Sequence, residues 1–549
     1  MSGPTVAVKQ GTILGTTGVN LNGEEFYKFL GIPYAKPPIG PLRFKAPEPS
    51  EPWVGTRSCT QDGSPCLNMH PVTKKPIGSE DCLFLNVHTR SLPKHPVSLK
   101  PVMVFIHGGA FTLGSGTQQM CDSKFLLTKD IVLVSMNYRL GVFGFLSLED
   151  NMLDVPGNAG LKDQTMALRW VQENIACFNG DPGNVTIFGI SAGGASVQFQ
   201  IVSPTAKGLF HKAIAQSGSV LNPWAWGQRN GLQLAEKLGK KVTSEKEALI
   251  LLRGLSDVQL YETSLLLTDD FMNMAVRRPF GPIIEKPNPT AFLCEDPALI
   301  LATGRYNQVP QILGKFHRSL FPNSLAIVGV LGACSNEGLI YEFSTFFRVS
   351  ADFQPEKQII PWNVKLAAES KTLWQKRLSQ LYYKDGVKKS GVFEQIGDVG
   401  FYVGVTESTK LALKNAKQPI YLYKFSYQAD MVKQLYKLMR LPESTAGVAH
   451  GMDGNFLFPC RWIPGVELEV NAEDAKAIQS VVEIWTNFAY TGNPHTQWEP
   501  VTDLENLKYL DIDKETQMRN QLLKERLDVW ANLTQNTGFS LTALDTPAK

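Results

Sequence analysis

Surplus charge is scarce in this chain. Its 54 Lys and Arg stand against 51 Asp and Glu, a net charge of +3 over 549 residues. So small a surplus gives neither the footprint of a nucleic-acid binder nor the polybasic patch of an anionic-membrane binder. Paired cysteines are missing as well. Cys59, Cys66, Cys82, Cys121, Cys177, Cys294, Cys334 and Cys460 are scattered, and none forms a Cys-x-x-Cys. That spacing argues against a zinc or dithiol redox site, and a chain this long is not built on disulfides. No internal repeat or low-complexity tract divides it. The most apolar run, Leu325 to Cys334, is too short to cross a bilayer. Met1 to Thr5 has neither a basic n-region nor an apolar h-region, and Thr546 to Lys549 is not an ER-retention tetrapeptide. The expected location is cytoplasmic.

What is present suits a large folded core. Hydrophobic residues make up 43% and charged residues 19%. Val6 to Val8 and Gly11 to Leu14 read as an opening hairpin. Short apolar runs at 83–87, 102–106, 131–135, 185–188, 213–216 and 419–425 read as strands covered on both faces. Between two of them, Leu161, Met166, Leu168, Val171 and Ile175 have helical spacing. This alternation predicts an α/β fold with a mostly parallel central sheet flanked by helices. Such sheets carry their sites at the carboxyl ends of the strands.

One such end is informative. The strand Val185 to Phe188 runs into Gly189-Ile190-Ser191-Ala192-Gly193. A Gly-x-Ser-x-Gly turn between strand and helix lifts a serine hydroxyl above the sheet, because bulk on either side would block the turn. A serine is a poor nucleophile until a base takes its proton. The base needs an orienting acid, and the oxyanion needs donors. Val104-Phe105-Ile106 leads into His107-Gly108-Gly109-Ala110, which offers Gly109 and Ala110 as donors beside Ala192. His450, in a loop of small residues, is the candidate base. Glu337 follows an apolar run and lies between Ser191 and His450 in the order this chemistry uses. The residues alone leave Asp269 and Glu285 open as well.

The chain resembles the type-B carboxylesterase/cholinesterase family of α/β-hydrolases, and within it the intracellular insect α-esterase type. The likeness rests on Phe29-Leu30-Gly31-Ile32-Pro33-Tyr34-Ala35, Ser79-Glu80-Asp81-Cys82-Leu83-Phe84-Leu85-Asn86 and Asn137-Tyr138-Arg139-Leu140-Gly141. Asn158 to Gln164 and Trp485 to Pro494 extend it over nearly the whole length. It implies a single domain, 1–549, with a small N-terminal antiparallel sheet. It implies the triad Ser191, Glu337 and His450, with Gly109, Ala110 and Ala192 as the oxyanion hole. Trp224 falls at the acyl-pocket position, Glu80 and Arg139 at a structural ion pair, and Cys66 and Cys82 at a possible disulfide.

Four departures shape the expectation. Ile190 stands where many relatives carry glutamate, so a negative charge beside the serine is lost. Ala110 replaces the third glycine of the oxyanion loop. The segment from Cys66 to Cys82 holds no tryptophan to stack on a quaternary ammonium, which argues against choline esters. Lastly, Val309 to Gly314 already reads as the strand before the acid, and 315–332 reads as an insertion that would loop out beside Glu337. The expected function is hydrolysis of uncharged carboxylic esters, xenobiotic or lipid-like, through an acyl-serine. Organophosphates would react at the same serine. No metal or organic cofactor is needed, the partners are small esters, and the state is monomer or weak homo-oligomer. A juvenile-hormone or pheromone esterase, or a non-catalytic cholinesterase-like binding protein, are the alternatives.

Overall fold

The computed structural model describes residues 3–70, 73–93, 98–267, 273–307, 328–345, 354–355, 357–442, 445–460 and 466–537. An eleven-stranded sheet runs through it. In chain order its strands are β1 (Thr16–Val19), β2 (Glu25–Pro33), β3 (Phe84–Thr89), β4 (Lys100–Ile106), β5 (Val132–Met136) and β6 (Gly180–Ile190). Then come β7 (Lys212–Gln216), β8 (Val328–Cys334), β9 (Ile420–Phe425), β10 (Tyr509–Ile512) and β11 (Gln517–Arg519). Across the sheet the order is β11-β10-β9-β8-β7-β6-β4-β5-β3-β2-β1. The stretch from β10 to β5 is parallel, and the strands outside it pair antiparallel. Thr5–Val8 and Gly11–Leu14 form the expected hairpin, with Thr56–Ser58 added parallel to its second strand.

The central strands are continuous apolar runs because both faces are covered. Every residue of β5 and β7 is buried. The helix Ala192–Val202 packs on β4, β6 and β7, and Ala472–Thr491 packs on β4 and β6. Ala192–Val202 is almost wholly buried, as befits a helix without a polar face.

The register decides where the site sits. Ile106 is level with Gly189, Ile190 with Gln216, and Gln216 with Gly332. The residues that follow, His107, Ser191, Ser217 and Ala333, therefore emerge side by side along one edge. Four neighbouring parallel strands deliver their carboxyl ends there.

The expected insertion needs correction at its downstream boundary. Val328 to Gly332 do not loop out. They form most of β8, paired with β7 on one side and β9 on the other. The earlier strand candidate at 309–314 and the segment 315–327 lie outside the described residues.

Candidate active site

Ser191 sits on the turn between β6 and the helix Ala192–Val202, at φ 61° and ψ −121°. A non-glycine residue held there is strained, and only the surroundings keep it in place. Its N–H donates to the Gln216 carbonyl at 2.8 Å, and its carbonyl accepts from Ala195 at 2.9 Å. The glycines show why the turn closes. A Cβ on Gly193 would stand 2.0 Å from the Ile106 carbonyl oxygen, so the helix rests directly on strand backbone. The N-terminus of that helix lies at Ser191, where its partial positive charge favours a developing anion.

The loop after β4 supplies the second wall. Gly109, Ala110 and Phe111 have φ of 112°, 52° and 61°, two of them costly for side-chain-bearing residues. The N–H groups of Gly109, Ala110 and Ala192 have no acceptor among the described residues. His107 stands at the start of this loop. It is 2% exposed, its Nδ1 donates to the Gly108 carbonyl at 2.8 Å, and its ring stacks on Tyr138. Burial pushes its pKa down to about 4.

On the far side, β8 ends at Cys334 and turns into Glu337, which is fully buried. Its Oε2 stands 2.6 Å from His450 Nδ1. Its Oε1 accepts from Ser217 Oγ and from the Cys334 N–H, each at 2.6 Å. Two hydrogen bonds, one of them backbone to backbone, tie the acid loop to the histidine loop: Asn336 N donates to the Val448 carbonyl, and Val448 N donates to Ser335 Oγ. Glu337 thus sits within hydrogen-bond reach of His450 whatever precedes β8. Of the other acids, Glu285 is engaged by Lys162 at 2.6 Å, and Asp269 lies outside the described residues.

Ser191, His450, Gly109, Ala110 and Trp224 line one cavity of about 290 Å³, whose wall is mainly apolar. Trp224 is 2% exposed and its Nε1 donates to the Gly400 carbonyl at 2.6 Å. It is therefore both core and pocket wall. Ile190 lines the cavity too, and Gly454 leaves room for its Cδ1.

Residues 2–530 match the model of the carboxylesterase family. The chain belongs to the carboxylesterase family. It is 36% identical to "Juvenile hormone esterase" of Tribolium castaneum, over 90% of this chain and 84% of the relative. It is 33% identical to "Esterase B1" of Culex pipiens, over 89% of each. The crystal structure of juvenile hormone esterase from Manduca sexta, with OTFP covalently attached, superposes with a TM-score of 0.84 at 28% identity. That match covers 97% of this chain and 99% of the other. The chain is a carboxylic ester hydrolase with an α/β-hydrolase fold, and its substrates are small esters. No helix among the described residues is long and apolar enough to cross a membrane.

One expected pairing in this carboxylesterase is wrong. Glu80 does not pair with Arg139. Arg43 Nε meets Glu80 Oε1 at 2.6 Å, while Arg139 grips Asp163 with Nε, Nη2 and its backbone N–H at 2.6–3.0 Å. The two pairs are buried neighbours, and a fork of donors is better matched by a carboxylate it can meet twice. Cys66 and Cys82 are joined in a disulfide.

Three neighbours of the site carry no local sequence signal. Ser217 reaches Glu337 only because β7 lies beside β8. Phe401, on the π-helical turn Asp398–Tyr402, lays its ring 4.2 Å from that of His450. Asp453 is fully buried and accepts from Gln216 Nε2 and the Tyr423 hydroxyl at 2.9 and 2.7 Å. Burial raises its pKa, with those two donors opposing.

Proposed function

We propose that Ser191, His450 and Glu337 form the catalytic relay of a serine carboxylesterase acting on uncharged esters, xenobiotic or lipid-like. The observation that carries this reading is the 2.6 Å pair of His450 Nδ1 and Glu337 Oε2 on the cavity that also holds Ser191. With Nδ1–H given to the carboxylate, Nε2 is the free base. It takes the Ser191 proton as Oγ attacks the ester carbonyl. Glu337 fixes the tautomer and stabilises the imidazolium. The oxyanion meets the N–H groups of Gly109, Ala110 and Ala192. His450 then protonates the departing alcohol, and water, activated by the same ring, frees the acid from the acyl-serine.

The wall supports the uncharged class. Arg278 is the sole Lys, Arg, Asp or Glu on it among the described residues, and Ile190 adds an apolar group beside the serine. No carboxylate there favours a cationic alcohol. Organophosphates should phosphorylate Ser191, because they present a tetrahedral phosphorus to the same Oγ. Paraoxon treatment followed by peptide mass spectrometry tests this. Label on the Ser191 peptide, absent in Ser191→Ala, is expected. An unlabelled Ser191 in folded protein would overturn the relay. A second reading, a juvenile-hormone ester as substrate, is favoured by the named relatives. Hydrolysis of that ester at a kcat/KM no better than that of simple naphthyl esters would count against it.

A further inference from the structure

Methionine is concentrated on the wall of the Ser191 cavity. The chain has 13 methionines, and Met69, Met120, Met274, Met439 and Met452 are among the 25 described residues that line it. A wall of that size drawn at random from this chain would carry fewer than one. The enrichment is not a local run. Met69 comes from the loop closed by Cys66 and Cys82, Met120 from the segment before Cys121, and Met274 from the stretch before Arg278. Met439 follows the helix Asp430–Leu438, and Met452 opens the turn Met452–Phe456. Five separate segments bring the same side chain to one space.

These five are not equivalent. Met274 and Met452 are each 5% exposed, and polar groups hold their sulfurs. Asn455 Nδ2 donates to Met452 Sδ at 3.2 Å, and Arg278 Nη2 lies 3.7 Å from Met274 Sδ. Met69 and Met439 are half-buried and Met120 is 36% exposed. Their sulfurs have no hydrogen-bond donor among the described residues. An unbranched side chain with three soft torsions can swing aside or fill a gap, and a thioether sulfur meets aromatic edges favourably. Leucine, of similar volume, is branched and fixed by comparison.

We infer that Met69, Met120 and Met439 are specificity-determining residues. They make part of the cavity wall adaptable, so that it takes bulky apolar ester groups of differing shape, aromatic rings included. Trp224 bounds the site rigidly, and these methionines yield. The inference rests on the ester-hydrolase reading of Ser191 and names the substrate class of that site. The catalytic groups do not change; what varies is how many ester shapes reach them.

The test compares the full chain with the triple variant Met69→Leu, Met120→Leu, Met439→Leu. The probes are 4-nitrophenyl acetate, octanoate, cyclohexanecarboxylate and phenylacetate. The parent should hydrolyse all four with similar kcat/KM. In the triple variant the spread between the best and worst bulky ester, each taken relative to acetate, should widen about tenfold. Met120→Leu alone, at the most exposed position, should widen it in the same direction and keeps the test open if the triple variant does not fold. An unchanged spread with acetate turnover intact would overturn the inference and leave the esterase reading standing. A folded parent inert toward all four esters would instead overturn the esterase reading.

Discussion

Ser217 Oγ lies 2.6 Å from Glu337 Oε1, the carboxylate oxygen that His450 does not use. The serine comes from the end of β7, the acid from just beyond β8, and the histidine from the loop after β9. One hydroxyl thus locks the rotation of a buried carboxylate whose other oxygen aims the imidazole. Ser217→Ala removes one of two donors to Oε1 and leaves the Cys334 N–H in place. A hydrogen bond to a charged group is worth enough that kcat should fall about tenfold, with KM nearly unchanged. Steady-state kinetics on a naphthyl ester reads this. An unaltered kcat would show that the Glu337 rotamer is fixed without Ser217.

Trp224 should set the reach of the acyl side. Its ring lines the cavity, packs 5.9 Å from the Phe401 ring and is anchored through the Gly400 carbonyl. Trp224→Leu opens volume without adding charge. The ratio of kcat/KM for a hexanoate ester over an acetate ester should rise about tenfold, the scale on which pockets sort methylenes. Stability should fall by about 2 kcal/mol for the lost packing. A ratio that stays constant would return Trp224 to a purely structural role.

Local chemistry made the elbow and the oxyanion loop legible. Small residues around Ser191 and the glycines after Ile106 announce a close backbone approach whatever surrounds them. Strands such as 102–106 and 213–216 were readable because buried parallel strands need no polar face. What stayed hidden depends on which strands become neighbours. Ser217 looks like any polar residue until β7 and β8 pair, and nothing near Arg139 tells Asp163 from Glu80 as its partner. The twin strand signals before Glu337 were a genuine ambiguity. Apolar periodicity offers two candidates for one slot, and the pairing with β7 and β9 places Val328–Cys334 in it.

The Arg139–Asp163 pair predicts an asymmetric mutational response. Three donors of Arg139 converge on a carboxylate with no exposure. Asp163→Asn leaves a buried guanidinium without its counter-charge and should cost about 3–5 kcal/mol. The double variant Arg139→Met, Asp163→Leu removes both charges and should be more stable than the single one. Urea denaturation at pH 7 measures both. A double variant no better than Asp163→Asn would mean that geometry, rather than charge burial, dominates at this position.

Acid should destabilise the fold through two buried histidines other than His450. His88, on β3, and His107, after β4, are held neutral by burial, with pKa values pushed down to about 3 and about 4. In the unfolded chain both titrate near 6.5. The unfolded state therefore binds protons that the folded state refuses. The stabilising contribution is complete above pH 6.5 and is lost as pH falls from 6.5 toward 3 for His88 and toward 4 for His107. Each histidine should cost about 2 kcal/mol between pH 7 and 5. His88 is the cleaner probe, since it lies outside the candidate site and its ring packs edge-on to Phe26. His88→Phe should flatten the fall of Tm between pH 7 and 5 while leaving ester hydrolysis at pH 7.5 unchanged. If parent and variant lose Tm in parallel over that range, His88 is not the group that takes up the proton.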